Sequence, residues 1–541
     1  MPRLSPTPSG HPTLFWGKTV IHSTYDPLKE ARRFILETCR GENPSCFILL
    51  DPGLGYLIRA IRAQFPYSSL ICLYFSDTTF QMRRESCETS WHPGADLSLA
   101  EFLRRHLHEL DLEGLKIIEW PPITSLFPDE ARTVRETLAQ VLRELKGSLV
   151  TTGSMGRLWI RNTIQNFINL DSTLAGDICF SDKPIVIAAS GPSLEECIPV
   201  LKECANTCNL WVLPSAIPAI HENGIVPDLV ILTDPGYYSI AYLAPIKDQG
   251  IPVAMPLSAA RGVWRITRHK FLLLQPNFFE KLLIEKTRLF STRIPAMGTV
   301  AASALDLALH STRREVVFCG LDLCYSDILS HARPSLQNTL HLSSSSRLKP
   351  CYSQAYSEAA DLASLKQSGV RTSLSLVTYA GWFSMMKNED RKRVYRYRPS
   401  GLKVENLEEI DEPAFKALIR SGKTDKERLY REPDPAMPTL PQRHRIARNL
   451  LREWFHTLTS AQRNIREQQT CRDIFLNRKI FDLSFFINLP DLLRLKRDAR
   501  VSTAPKVLEQ ARALLCQEKQ FLTGLLEKIG QIPQETSAND G

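Results

Sequence analysis

Ile185-Val186-Ile187-Ala188-Ala189-Ser190-Gly191-Pro192-Ser193-Leu194-Glu195-Glu196 is the stretch whose reading decides the fold. An all-apolar strand runs into a turn of small residues and then into a helix start, the basic step of a βαβ unit. Backbone N–H groups and Ser193 at the helix start could cradle a phosphate with help from the helix dipole. The plainer reading is that Ser193 only caps the helix, with Glu196 completing an S-x-x-E box. Both stay open, because a capped helix start is where an anion would sit.

Outward from this stretch the rhythm repeats. Leu210–Leu213, Leu229–Leu232, Phe271–Leu274 and Val316–Cys319 are further apolar strands, which predicts an α/β domain over 184–410. A Ser-rich insertion, His341–Ser346, is expected to be a mobile loop. Upstream, Cys46–Leu50 stops at Asp51-Pro52-Gly53-Leu54-Gly55, Leu70–Phe75 ends at Asp77, and Leu115–Ile118 precedes Glu119. These predict a smaller doubly wound domain over 26–150. Residues 1–25, with Pro2, Pro6, Pro8 and Pro12, read as a loose lead-in. Residues 151–183 read as a helical connector containing Trp159, Arg161, Asn162, Asn166 and Asn169. After Glu412 strand signals end, and Gln442–Arg466 and Thr503–Ile529 have helical periodicity, so 411–532 is expected to be a helical C-terminal domain and 533–541 a disordered tail. The fold class is thus α/β: two doubly wound Rossmann-like domains followed by an α-helical C-terminal domain.

Composition limits the function. At about 150 residues per domain, 541 residues imply three to four domains. Hydrophobic residues at 43%, charged residues at 23% and a mean hydropathy of −0.17 suit a soluble globular protein. A net charge of +9, from 67 Lys and Arg against 58 Asp and Glu, is too thinly spread for a dedicated nucleic-acid binder. No run reaches the ~18 apolar residues of a spanning helix, and the first residues lack the order of a signal peptide. A cytoplasmic protein without membrane or nucleic-acid partners is expected. The 13 cysteines include no C-x-x-C pair, and Cys197, Cys204 and Cys208 fall at helical spacings beside apolar residues. Buried free thiols, rather than a metal site or disulfides, are expected.

Four further segments carry candidate chemistry. Gly53-Leu54-Gly55 lies between strand and helix, with Asp77 closing the next strand, as in dinucleotide or S-adenosylmethionine sites; Ile58 stands where a third glycine belongs, so a packing turn is the competing reading. Asp234, in Asp228-Leu229-Val230-Ile231-Leu232-Thr233-Asp234-Pro235-Gly236, ends a buried strand at the edge where open sheets bind ligands. It could hold a sugar hydroxyl, a base or a metal, or simply form a turn before Pro235; no D-x-D triplet supports a metal-carboxylate site. Gly298, Thr299 and Ser303 open a helix of small residues suited to close packing against a sheet or a ligand. Gly320-Leu321-Asp322-Leu323-Cys324-Tyr325-Ser326-Asp327, followed by His331, is the densest polar constellation in the chain.

In this order, the S-G-P-S-L turn, the P-D-L-V-I-x-x-D-P strand, the G-T-V-A-x-S-A-L-D-L-A helix and the G-x-D-L-x-Y-S-D…H segment resemble the central domain of the motility accessory factor (Maf) family of flagellin glycosyltransferases. That domain is also described as 6-hydroxymethylpterin diphosphokinase MptE-like. The resemblance extends to Pro52–Tyr56, to Trp159–Asn162 and to Val394-Tyr395…Gly401. It implies transfer of a nonulosonic acid, of the pseudaminic or legionaminic type, from a CMP-activated donor to Ser or Thr of flagellin, in support of motility. The central domain would be sialyltransferase-like. No tightly held cofactor is implied; the CMP-nonulosonic acid is the donor substrate, and magnesium is left open.

By that likeness Ser190, Gly191, Pro192 and Ser193 would face the donor phosphate. Gly298, Thr299, Ser303, Gly320, Tyr325, Ser326 and Asp327 would complete the donor pocket. His331 would be the general base, with Asp322 and Asp234 as competitors. The chain departs from the family at Ala189-Ser190, where Gly or Asn often precedes G-P-S. Two other readings remain: an ATP-using pterin diphosphokinase, which would lack a G-x-x-x-x-G-K-[ST] loop here, and a non-catalytic flagellin-binding accessory protein.

Overall fold

The computed structural model describes residues 2–176, 178, 183–295, 297–353, 356, 366–367, 370–384, 386, 388–398, 402–404, 407–420, 432–466, 477–501 and 505–530. The chain divides into two units, Met1–Ser154 with Thr457–Lys519, and Met155–His456 with Gln520–Gly541. The expected disorder of 533–541 lies outside the described residues.

In the first unit the N-terminal residues are not loose. Strands β1 (Pro2–Ser5), β2 (Thr13–Trp16) and β3 (Thr19–Val20) form an antiparallel sheet, and Leu14, Ile21 and His22 are buried in the core of this unit. Prolines hid these short strands; the apolar Leu14, Phe15, Trp16, Val20 and Ile21 are the signal that outweighs them. Next come β4 (Cys46–Leu50), β5 (Ser69–Leu73), β6 (Ser90–Trp91) and β7 (Leu115–Glu119), all parallel, in the order β6-β5-β4-β7. Every residue of β4 is buried, as its unbroken Cys-Phe-Ile-Leu-Leu run requires of a central parallel strand. The helix Pro27–Thr38 starts at the domain boundary expected near residue 26, with Asp26 as its cap accepting the Lys29 N–H.

The second unit is built on β8 (Ile185–Ala188), β9 (Asn209–Val212), β10 (Leu229–Ile231), β11 (Val253–Pro256), β12 (Lys270–Leu274), β13 (Thr292–Arg293) and β14 (Val316–Cys319), with a two-stranded β15 (Lys366–Gln367) and β16 (Val370–Arg371) apart, and then β17 (Val394–Tyr397) and β18 (Glu408–Ile410). The nine-stranded sheet runs β13-β12-β11-β10-β9-β8-β14-β17-β18 and is parallel throughout. Helices such as Leu194–Cys204 and Val300–Ser311 bury apolar faces against it. The expected connector is no separate piece, since residues 151–169 continue the helix Pro128–Asn169. Part of the Ser-rich insertion is the helix Leu336–Ser343, none of whose residues is buried.

The C-terminal region is helical, in Glu412–Arg420, Leu440–Arg466, Arg478–Ile487, Leu489–Val501 and Pro505–Gly530, but it is not one domain. Trp454 packs against Phe278 and Phe279 of the second unit, whereas Lys496 donates to Leu110 O and Arg497 pairs with Glu113 in the first. Amphipathic periodicity shows that a helix buries one face and is silent on which core receives it. Among the described residues, no helix is long and apolar enough to cross a membrane. Nine of the eleven described cysteines are buried, all of them free thiols; Cys351 is half-buried and Cys516 exposed.

Candidate functional site

The chain enters the large sheet at β8, in its middle. It lays β9 to β13 down on one side and then returns to place β14 on the other. Such a reversal of strand order opens a crevice above the carboxyl ends of the two strands that flank it. Ser190–Ser193 leave β8 at this point and Gly320–Asp327 leave β14.

These two loops lock together. The Gly191 N–H donates to Gly320 O at 2.7 Å. The carboxylate of Asp322, itself 2% exposed, accepts the Ser193 N–H at 2.7 Å on one oxygen and the Ser193 hydroxyl on the other. A Cβ on Gly191 would stand 2.6 Å from the Asp322 carboxyl and from Gly320 O, so only glycine permits this approach. Gly320 has φ +71° and a Cβ there would meet Ala189 O. Ser193 therefore makes no side-chain cap to its own helix, contrary to the S-x-x-E reading. Asp322 brings the negative charge to that helix start from another strand. The amides of Gly191, Ser193, Leu194, Glu195 and Glu196 all have partners within the protein, and the Ser193 hydroxyl is spent on Asp322, which leaves the Ser190 hydroxyl as the polar side-chain group of the turn that is not turned onto that carboxylate. The Ser215 hydroxyl, just past β9, donates to Ser190 Oγ at 2.7 Å, and both residues are half-buried.

His331 is brought to the same place. The next residue, Ala332, donates its N–H to Ser190 O at 2.8 Å, and the Arg333 guanidinium grips Glu195 through two bonds, Nε to Oε1 and Nη2 to Oε2. This contact holds the Glu195 carboxyl below its usual range. The segment 330–333 thus straps across the helix start. His331 Nδ1 lies 2.8 Å from the Ser330 hydroxyl, which fixes the ring. Tyr325 is half-buried and its N–H donates to Arg371 O, while Ser326 and Asp327 are exposed at the outer end of the loop.

The remaining candidates stand apart. Asp234 is exposed three residues beyond β10, two strands from β8; its Oδ1 accepts the Gly236 N–H at 2.6 Å and its carbonyl accepts the Ala260 N–H. The turn-forming role is realised while the carboxylate still faces solvent. Thr299 caps Val300–Ser311 through the Ala301 N–H, and Gly298 packs against the Trp382 indole. Ser303 is buried and its hydroxyl has no partner among the described residues.

Four residues that make this edge rigid were not singled out as site residues. Asn162 Nδ2 bridges Pro235 O and Ser258 O, and Asn166 Nδ2 bridges Leu257 O and Ala259 O. Glu280, fully buried, accepts the Ser258 N–H; burial raises its carboxyl to about 7. Ser215 is the fourth. Asn162 and Asn166 are one helical turn apart on an otherwise apolar stripe, and that spacing was the available signal.

The first unit has a comparable reversal between β4 and β7, but its own residues fill the turn. A Cβ on Gly53 would lie 2.6 Å from His22 Nε2 and one on Gly55 2.6 Å from Glu85 O. The Leu54 N–H donates to His22 Nε2, and buried Asp51 accepts from Gly53, Phe75 and Thr79. Burial lowers the His22 pKa to about 3 and raises that of Asp51 to about 6. Asp77 bonds to His92 and the Gly94 N–H, which lowers its pKa. Among the described residues no three His, Cys, Asp or Glu side chains converge where they could hold a metal ion.

Residues 160–328 match the family model 6-hydroxymethylpterin diphosphokinase MptE-like, the span that holds β8 to β14 and both loops of the crevice. An uncharacterized protein of Treponema pallidum (strain Nichols) is 25% identical over 122 residues, 22% of this chain and 58% of that protein; the chain thus spans somewhat over half the length of this curated relative. Among solved structures, a Maf glycosyltransferase from Magnetospirillum magneticum AMB-1 superposes with a TM-score of 0.56 over 98% of this chain and 93% of the other, at 12% identity. At that identity the likeness is one of fold.

Proposed function

From an MptE-like domain within a Maf-like fold as the premise, we propose that the protein is a glycosyltransferase that moves a nonulosonic acid from a CMP-activated donor to a Ser or Thr hydroxyl of flagellin in the cytoplasm. The observation that carries this reading is the meeting, at the strand-order reversal, of the Ser190–Ser193 turn, Asp322 and the His331 strap. In the reaction the bond from the sugar's anomeric carbon to the CMP phosphate oxygen breaks, and CMP leaves with the electron pair. The acceptor oxygen bonds to that carbon and gives up its proton. The Ser190 hydroxyl, which accepts the Ser215 proton and keeps its own, is placed to donate to the departing phosphate. His331 takes the acceptor proton. Asp322, with both oxygens bonded to Ser193, acts as a positioning residue that holds the turn.

The name of the matching family favours one second reading, a pterin diphosphokinase using ATP. A triphosphate normally demands magnesium and several placed cations, and the turn after β8 contains none. Thermal unfolding separates the two. CMP should raise the melting temperature without added magnesium and ATP should not; strong magnesium-dependent stabilisation by ATP alone would favour the kinase. Intact mass of flagellin, with and without the protein and a CMP-nonulosonic acid, tests the transfer itself.

A further inference from the structure

Tyr237 and Tyr238 follow directly on Asp234-Pro235-Gly236 and are 77% and 57% exposed. Single exposed aromatics are common and need no cause; Tyr25 and Tyr67 are two such. This pair differs in three respects. The rings touch edge to face, with centroids 5.9 Å apart and planes at 67°. Their short helix, Tyr237–Ala241, packs against the turn Pro214–Ala216, whose Ser215 hydroxyl is the one bonded to Ser190. The pair is thus one loop removed from the β8 turn at the reversal.

The backbone beneath the rings is also fixed. Asn162 Nδ2 holds Pro235 O, Asp234 Oδ1 holds the Gly236 N–H, and the neighbouring loop, itself held by Asn166 and Glu280, donates the Ala260 N–H to Asp234 O. A surface helix of five residues has no stability of its own, yet this one is anchored at its start by buried polar groups. Rigid support under solvent-facing rings is the arrangement of a preformed binding wall.

Resting on the donor reading above, we propose that Tyr237 and Tyr238 form the wall on which the nucleobase of the donor stacks, while its phosphate lies at Ser190 and Ser215. Neighbouring parallel strands are about 4.8 Å apart, so the two-strand step from β8 to β10 is about 10 Å, within the reach of a nucleoside monophosphate from phosphate to base. A flat ring on a tyrosine face gains stacking whatever its hydrogen-bonding edge, so this wall supplies affinity, and the choice of base falls to other groups.

The test is calorimetric titration of the full chain with CMP and with base-free ribose 5-phosphate, in the wild type and in Tyr237→Ala, Tyr238→Ala, Tyr237→Phe and Tyr238→Phe. Melting temperature serves as the check on folding, and these exposed positions should leave it unchanged. At least one alanine variant should weaken CMP binding about 10-fold or more, the scale of one lost base–aromatic stack. The phenylalanine variants should bind CMP as the wild type does, and the affinity for ribose 5-phosphate should not change. CMP binding by both alanine variants at wild-type strength would overturn the wall and leave the donor reading standing. Normal CMP binding with lost flagellin modification would overturn it too and make the pair an acceptor-docking surface. A wild type that does not bind CMP would overturn the donor reading and, with it, this inference.

Discussion

The two parallel sheets of this chain place a glycine turn at the same topological position and use it differently. After β4, His22 and the Glu85 carbonyl stand against the glycines and Asp51 is spent on three internal bonds. After β8, Gly191 lets a loop from β14 close onto the turn, while half-buried serines, an exposed aspartate and two exposed tyrosines remain along the edge. Strand order supplies a place where a ligand can bind, and the residues around the turn decide whether that place is kept open or packed shut.

The sharpest way to break this comparison is Gly191→Val. Asp322 and Gly320 cannot both move aside, so donor binding should be abolished, with an overpacking cost of about 1–3 kcal/mol. The readouts are CMP-induced stabilisation and urea unfolding. Normal CMP binding by a folded variant would mean that the β8 turn is as uninvolved as the β4 turn. His331→Ala should slow transfer by roughly 10²-fold, the scale of removing a general base, with CMP affinity unchanged. Unaltered flagellin modification would return His331 to a structural role and pass the proton to Asp234, whose carboxylate is exposed, rather than to Asp322, whose oxygens are both held by Ser193.

In the other sheet, Gly55→Ala puts a side chain at φ +96° against Glu85 O. It should destabilise the first unit by about 1–3 kcal/mol, seen as easier proteolysis there, and leave CMP binding intact. Weaker CMP binding in this variant would undo the division of labour. Titration of the wild type with S-adenosylmethionine and NAD should give no heat; micromolar affinity for either would do the same.

The smallest effect is one of pH. The Glu280 carboxyl, raised to about 7 against 4.5 when solvated, keeps its proton in the folded state after the unfolded chain has lost it. Its contribution to stability is full below about 4.5 and is lost as pH rises through about 7. Glu280→Gln should therefore show a flatter melting temperature than the wild type across that window. Asp51→Asn should behave alike between 3.8 and about 6. Parallel curves for variant and wild type would mean that these carboxyls are not as buried as they stand here.

Much of this was readable in the residues. Strands such as Cys46–Leu50 and Val316–Cys319 announce themselves by unbroken apolar runs, and β8 with its turn was placed within a residue. The segment β11, with Pro256 at its end, and the two-residue β13 carry too little pattern to be found. Pairing order is not local at all: nothing in Val316–Cys319 says that it lies beside β8 rather than beyond β13, and without that the meeting of Ser193 with Asp322, 129 positions apart, is invisible. The S-x-x-E box failed for the same reason, since a distant carboxylate outcompeted the local partner. Asn162 and Asn166 looked like connector residues because their partners are backbone carbonyls, which every sequence contains.

The buried cysteines have a practical corollary. Among the described cysteines, a thiol reagent should meet Cys516 at once and Cys351 more slowly in the native state, while the nine buried sulfhydryls wait for an opening of the structure. Cys39, Cys46, Cys72 and Cys87 lie in the first unit, and Cys197, Cys204, Cys208, Cys319 and Cys324 in the second. Peptide-resolved alkylation rates would thus give each unit its own clock, without a label being introduced, and would show which one loosens first on warming.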